Sequence, residues 1–345
     1  MLGIGMPHKP RAGAMNSPVN FTHGARCDIG TFEITPDAIA RFAAEYDPQA
    51  QHLDEAAAKL TPLQGLSPSG WHTCILAMRQ IERFFSRLSV RPQILAVEEI
   101  RWLQPVRPGE TASVELIWSY ARSLGACAVE GARAATITVT KSTGALALRI
   151  NCALLLSTKG ESVAGAADCA NIYQRTSTVR RRTGGHLVRY FDDVLVGDEI
   201  TFRPCCFDAS SIEMYRSIVD DHITDIEPSS ETLPSRAVCG WHPIAKWTRQ
   251  MVDYYHSESE WLSLNAQPVP LLGPAIGVRS LSWHAPVYEG DCITFTSWVD
   301  HKVGAGISKD WGMLVLGTEG INRAGTRVVS FYPQFLLQKR PGNSP

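Results

Sequence analysis

The chain is written twice. "SGWHTCILAMRQI" begins at Ser69 and "CGWHPIAKWTRQM" at Cys239, and each carries Gly-Trp-His followed, after six further residues, by Arg-Gln. Further along, "IRWLQPVRPGE" (Ile100 to Glu110) aligns with "LSWHAPVYEGD" (Leu281 to Asp291), and "STGALALRINCALLL" with "RAGTRVVSFYPQFLL". The last two matches share one offset, 181 residues. Three blocks in the same order at nearly constant spacing mark a tandem duplication, so the fold must be one that two copies of a module can share. At 345 residues the chain has the length of two ordinary domains.

Each module reads the same way. Ile39, Phe42, Ala43 and Tyr46 fall at helical spacing, with Ile212, Tyr215 and Val219 as counterparts. Thr35 is placed to cap the first helix, with Pro36 at its first position. A loop follows, then a longer apolar helix from about Gly70 to Leu88, carrying Trp71, Ile75, Met78, Ile81 and Phe85. Period-two stretches come next, "ASVELIW", "AATITVTKS" and "ALALRINCALLLS", with Gly109 and Gly144 marking turns. One long helix followed by several antiparallel strands predicts an α+β architecture with the helix on one face of the sheet.

The boundaries follow from the breaks in this pattern. Residues 1–25 read as a flexible leader, 26–158 as the first module, 159–186 as a linker and 187–345 as the second module. The linker carries Arg180, Arg181 and Arg182, a run expected to be solvated; contact with a nucleotide phosphate is the sharper alternative. A formal net charge of −1 offers no basic excess for nucleic acid. No apolar run reaches the roughly 18 residues of a membrane span, and the N-terminus lacks a signal-peptide core. The nine cysteines form no CxxC pair and sit largely in apolar contexts, so they are expected to be reduced, in a cytoplasmic protein. The adjacent Cys205 and Cys206 are the exception, with a vicinal disulfide or a metal as the lesser alternative.

The chemistry concentrates in "EYDPQAQHLD". Asp47 is followed five residues later by His52, with Pro48 between. On its own Asp-Pro is also an ordinary way to end a helix, so spacing alone leaves both readings open. The loop "GLSPSGWHT" (Gly65 to Thr73) then leads into the long helix, whose first amides lack intrahelical partners and carry the positive end of the helix dipole. If the two segments meet, the module holds an acid, a base and an oxyanion site, the parts needed to add water to a carbonyl-activated double bond or remove it.

These residues carry a family resemblance. "YDPQAQHLDEAAA…PLQGLSPSGWHT" resembles the hydratase-2 motif of MaoC-like acyl dehydratases, which include (R)-specific enoyl-CoA hydratases and have the hot-dog fold. Asp47, Gln49 and His52 match the motif, although Gln49 replaces its usual asparagine and Ala50 its usual proline. The resemblance covers most of residues 30–157 and extends weakly over 187–340, where "RYFDDVLVGDEITF" is similar to the usual opening of such a domain. It implies a tandem, double hot-dog chain forming an intramolecular pseudo-dimer, with a homodimer of the whole left open. It implies hydration of a trans-2-enoyl-CoA to an (R)-3-hydroxyacyl-CoA, or the reverse, as in fatty acid metabolism. Asp47 and His52 would hold the water, the Gly65 amide would polarise the thioester carbonyl, and Thr73 and Gln49 would support the aspartate. Tyr46, Trp71 and His72 are placed to wall the pocket. Acyl-CoA, or an acyl-carrier thioester, enters as substrate, and no metal or redox cofactor is required.

The second module departs from the motif. Asp220 stands opposite Asp47, but Asp225 or Ile226 stands opposite His52, Pro243 opposite Thr73 and Ser235 opposite Gly65. That module is therefore expected to be non-catalytic, completing the pseudo-dimer and shaping the acyl groove. A rival constellation of Asp220, His222 and His242 is the alternative there. His72 and His242 recur at one place in both modules, which argues for a structural role. Trp102 and Trp283, on matched strands, are expected in the core. Two other functions stay open: a non-catalytic acyl-CoA-binding protein, and an acyl-CoA thioesterase, since one fold supports several chemistries.

Overall fold

The computed structural model describes residues 22–119, 129–158, 175–220 and 237–342. In the first module, β1 (Arg26–Glu33) leads into α1 (Pro36–Tyr46), two short helices α2 (Ala50–Leu53) and α3 (Glu55–Lys59), and the long α4 (Gly70–Arg87). Strands β2 (Val90–Trp102), β3 (Thr111–Trp118), β4 (Arg133–Lys141) and β5 (Leu146–Thr158) complete it. The second module contains β6 (Arg182–Thr183), β7 (Asp198–Thr201), β8 (Cys205–Cys206), α5 (Ala209–Asp220) and the long α6 (Trp241–Leu264). It closes with β9 (Leu272–Trp283), β10 (Cys292–Val303), β11 (Trp311–Asn322) and β12 (Arg327–Gln338).

Local signals place these elements. Thr35 Oγ1 accepts from Ala38 N–H, and Pro36 starts α1 where a missing N–H costs nothing. Gly109 and Gly144 turn the chain at φ +72° and +82°, values that suit a residue without Cβ. All strands but β6 pair antiparallel, in one continuous sheet ordered β1-β3-β4-β5-β2-β9-β12-β11-β10-β7-β6, with β8 on β10. Read outward from its centre, β2-β5-β4-β3-β1 is mirrored by β9-β12-β11-β10-β7, which is the pseudo-two-fold symmetry of a double hot-dog. The modules join where β2 meets β9, Val97 opposite Leu281 and Ile100 opposite Val278.

The sheet wraps α4 and α6. Ile75, Met78, Ile81 and Phe85 of α4 and Trp247, Met251 and Tyr255 of α6 are buried in one continuous core with Ile100, Val278 and Phe331. Each such side chain contributes about 1.5–3 kcal/mol by leaving water. An aromatic seam ties the halves together. His72 stacks on Phe42 (ring centroids 4.4 Å apart), His242 stacks on Tyr215 (4.3 Å), and Tyr46 meets both Tyr215 and His242 edge-on. His72 and His242 thus play the structural part their recurrence suggested.

Two expectations change here. Cys206 and Cys292 sit directly opposite each other on β8 and β10 and form a disulfide, so these two cysteines are not reduced and Cys206 does not pair with Cys205. Their separation of 86 positions conceals that neighbourhood in the sequence. Arg181, expected in solvent, lies over the Trp298 ring and pairs with Glu319 at 2.7 Å, so the end of the linker is fastened to the second module. The leader and the first part of the linker, residues 1–21 and 159–174, lie outside the described residues, as do His222, Asp225, Ile226 and Ser235. Among the described residues, no helix is long and apolar enough to cross a membrane.

Candidate active site

The five-residue spacing of Asp47 and His52 becomes a close pair because the chain folds back between them. Asp47 ends α1, its N–H bonded to Ala43 O. Pro48 cannot continue the helix, Gln49 caps α2, and that single turn aims His52 back at the aspartate. His52 Nε2 lies 3.6 Å from Asp47 Oδ2, and both side chains are buried. His52 Nδ1 lies 2.7 Å from Ser67 O. A carbonyl only accepts, so in the neutral ring Nδ1 carries the proton and Nε2 presents its lone pair toward Asp47.

Each oxygen of Asp47 is held by a donor. Gln49 Nε2 donates to Oδ1 at 2.7 Å and Ser69 Oγ to Oδ2 at 2.6 Å. Gln49 is thus beside the aspartate as expected, and Gln51 Nε2 in turn donates to Gln49 Oε1. Ser69 is the residue the sequence reading missed. It is the N-cap of α4, yet its hydroxyl makes no cap bond because it is spent on Asp47. The first intrahelical bond runs from Thr73 N–H to Ser69 O, so the amides of Gly70, Trp71 and His72 precede the ladder, at the positive end of an 18-residue helix. Thr73 supports the aspartate only at one remove: its Oγ1 donates to Ser69 O at 3.3 Å.

Gly65 does not fill the role expected of it. Its N–H is donated to Ala58 O at 3.1 Å, and the residue does not line the cavity beside the dyad. Its backbone, at φ +150°, instead serves to turn the loop against Arg107, which donates to the carbonyls of Gly65 (2.7 Å), Leu66 (3.2 Å) and Leu63. Gly70, at the start of α4, does border the cavity. A Cβ there would come within 2.5 Å of the Trp102 indole, whose Nε1 donates to Gly70 O at 2.9 Å. The recurrence of Gly-Trp-His was the available signal for this close contact. Trp102 accordingly borders the cavity instead of lying within the core.

The dyad opens on a cavity of about 270 Å³ between the modules. The first module supplies Asp47, His52, Ser67, Gly70 and Trp71. The facing wall comes from the second: Trp247, Met251 and Tyr255 of α6, Leu272 and Ile276 of β9, and Phe335 of β12. Most polar groups on that wall are committed, Thr248 Oγ1 to Ile244 O and Tyr255 OH to Leu187 O. Burial pushes the Tyr255 phenol up, so it stays neutral. Ser67 Oγ, by contrast, is buried and has no hydrogen-bond partner among the described residues. Trp71 walls the cavity as expected, whereas Tyr46 and His72 belong to the seam between modules and do not line it. The rival histidine, His242, is buried in that seam. Burial, with a smaller contribution from Lys246, pushes its pKa down to about 3.

Residues 20–137 match the family described as MaoC like domain. The first module is a MaoC-like domain. Solved structures extend the likeness to the whole chain. A MaoC domain protein from Chloroflexus aurantiacus J-10-fl superposes with TM-score 0.61 at 14% identity, over 95% of this chain and all of that one. A MaoC-like dehydratase superposes with TM-score 0.60 at 16% identity, again over 95% of this chain and 100% of the other. A conserved Mycobacterium tuberculosis protein with a double hotdog fold does so at TM-score 0.57 and 14% identity, over 92% and 96%. At these identities the likeness is one of fold. No curated protein sequence matches the chain. The MaoC-like module is the one that carries Asp47 and His52, while the second module turns α6 and β9 toward them.

Proposed function

We propose that this chain hydrates a trans-2-enoyl thioester, or dehydrates the (R)-3-hydroxyacyl thioester, with coenzyme A as the carrier. The observation that supports this reading most directly is the buried Asp47–His52 pair at the polar end of an otherwise apolar cavity, with the lone pair of Nε2 turned toward the aspartate. A separation of 3.6 Å allows one water molecule to hydrogen-bond both groups. In hydration His52 Nε2 takes a proton as the water oxygen bonds to C3. The π pair of the double bond shifts toward the thioester, and the dyad returns a proton to C2 on the same face. Water supplies every atom added, so the balance calls for neither a metal nor a redox group. The negative charge that develops on the thioester oxygen is met by the positive end of α4, at the Gly70 amide, in the place first assigned to Gly65. The acyl chain then runs along the wall formed by α6 and β9.

The test is hydration of crotonyl-CoA and of a longer trans-2-enoyl-CoA, followed by loss of the ultraviolet absorbance of the enoyl thioester. An Asp47→Asn, His52→Ala double variant that keeps full turnover would sink the assignment. Release of free CoA from saturated acyl-CoA would favour the thioesterase reading, and binding with no turnover on any enoyl-CoA would favour the binding protein.

A further inference from the structure

A second cavity, of about 330 Å³, lies on the other side of the module junction. It is the pseudo-symmetric mate of the first. Trp241 and Trp283 border it as Trp71 and Trp102 border the catalytic one, and Trp283 Nε1 donates to Gly240 O at 2.9 Å, the same bond and length as Trp102 to Gly70. The facing wall matches as well. Ile81 of α4 stands where Met251 of α6 does, Leu95 of β2 where Ile276 of β9 does, and Leu154 where Phe335 does. The tilted pair Trp71 and Trp241, centroids 6.3 Å apart, stands between the two spaces, each ring lining its own.

What differs is the end where chemistry would occur. The first cavity has Asp47, His52, Ser67 and Ser69 there; among the described residues the second has Val238 and Cys239. Glu82, at the rim, is paired with Arg79 at 2.8 Å. The second cavity has therefore kept the apolar wall, the tryptophans and their hydrogen bonds, while its described residues supply no acid–base pair. A volume of this size with a predominantly apolar lining suits a small ligand or an alkyl chain. A closely packed interior otherwise holds few spaces larger than a water molecule.

We propose that the second cavity is a binding site for an alkyl chain, carried by a fatty acid or an acyl thioester. The proposal does not depend on the hydratase reading, because it concerns occupancy alone. Cys239 lines the cavity, and although burial pushes its thiol pKa up, the rate at which it is alkylated reports occupancy. The full-length chain is titrated separately with decanoate and decanoyl-CoA by calorimetry, and iodoacetamide labelling of Cys239 is followed by peptide mass mapping. The expected result is two equivalents bound per chain. With ligand at about ten times Kd, Cys239 labelling should slow about tenfold. Ala285→Phe, which fills this cavity from a residue absent from the catalytic one, should remove one equivalent and leave crotonyl-CoA turnover unchanged. Protection by decanoate places a free fatty acid in the site; protection by decanoyl-CoA alone places a thioester there. A single equivalent in the parent protein, with Cys239 labelling unaffected by both ligands, overturns the proposal, and so does retention of both equivalents in a folded Ala285→Phe protein. If that variant does not fold, the labelling of the parent protein decides.

Discussion

Ser69→Ala removes one oxygen and tests how the dyad is aligned. The Ser69 hydroxyl lies 2.6 Å from Asp47 Oδ2, and the residue is buried. A hydrogen bond to a charged group contributes about 1.5–3 kcal/mol net. If all of that serves to hold Asp47 against the reacting water, kcat/KM falls about 10-fold to 150-fold at about 1.4 kcal/mol per decade. An N-cap serine usually contributes about 1 kcal/mol to its helix through a side-chain cap bond. Ser69 makes no such bond, so α4 has no cap to lose; the stability change comes from the buried Asp47 carboxylate losing one donor, about 1–3 kcal/mol in urea unfolding. The signature is therefore a large kinetic loss in protein that stays folded under the assay conditions, read from enoyl-CoA hydration and urea unfolding of the same preparation. Ser69→Cys, which installs the residue found at Cys239 in the second module, should fall between the two because a thiol donates weakly. Activity of the alanine variant indistinguishable from the parent would refute the alignment argument. Loss of the folded state under the assay conditions would show that Ser69 acts on the fold instead.

Other consequences are as direct. Arg249 reaches from α6 to the carbonyls of Ala44 (2.9 Å) and Glu45 (3.2 Å), in the last turn before Asp47, so Arg249→Ala should lower kcat about fivefold, the equivalent of about 1 kcal/mol, with KM little changed in steady-state assays. Gly70→Ala puts a methyl group against the Trp102 indole, and the overpacking should cost about 1–3 kcal/mol in urea unfolding and reduce hydration. His242, with a pKa near 3 when folded against 6.5 as its ordinary value, stays neutral while the unfolded chain takes up a proton. Stability should therefore fall as pH drops below 6.5, by at most about 1.4 kcal/mol per pH unit from this residue. Unfolding midpoints of parent and His242→Phe protein, compared across that range, should show a shallower decline in the variant.

The two-module layout, the capped first helix, the long α4 and the strands β3 to β5 were legible because they rest on local pattern: Thr35-Pro36, the apolar stripe of α4, and alternation in β3 to β5. Asp47 and His52 were legible because one helix end and one turn settle their geometry. Gly65 was misassigned because counting back from Thr73 cannot reveal how the loop folds. Its N–H is taken by Ala58 and its carbonyl by Arg107, which lies 42 residues away in sequence. Ser69 was missed for a related reason: a serine before a helix ordinarily caps it, and only the approach of Asp47, 22 residues earlier, diverts the hydroxyl. Cys206 and Cys292 became neighbours through strand pairing alone. The wall supplied by Trp247, Met251 and Phe335 depends on the packing of one module against the other, which no local pattern encodes.

Joining the two modules in one chain has an evolutionary consequence. In a symmetric pair of identical subunits every position appears twice, so the helix that anchors the reacting groups is also the helix that shapes the far side of its partner's pocket, and a substitution that suits one duty must be tolerated in the other. Here the duties are separated. Residues 248 and 251 are Thr and Met, whereas their α4 counterparts, 78 and 81, are Met and Ile. The wall can be recut to fit a different acyl group without disturbing the loop that aligns Asp47. Substitutions that change which substrate is accepted should therefore collect on α6 and β9, and those that abolish turnover on residues 47–73.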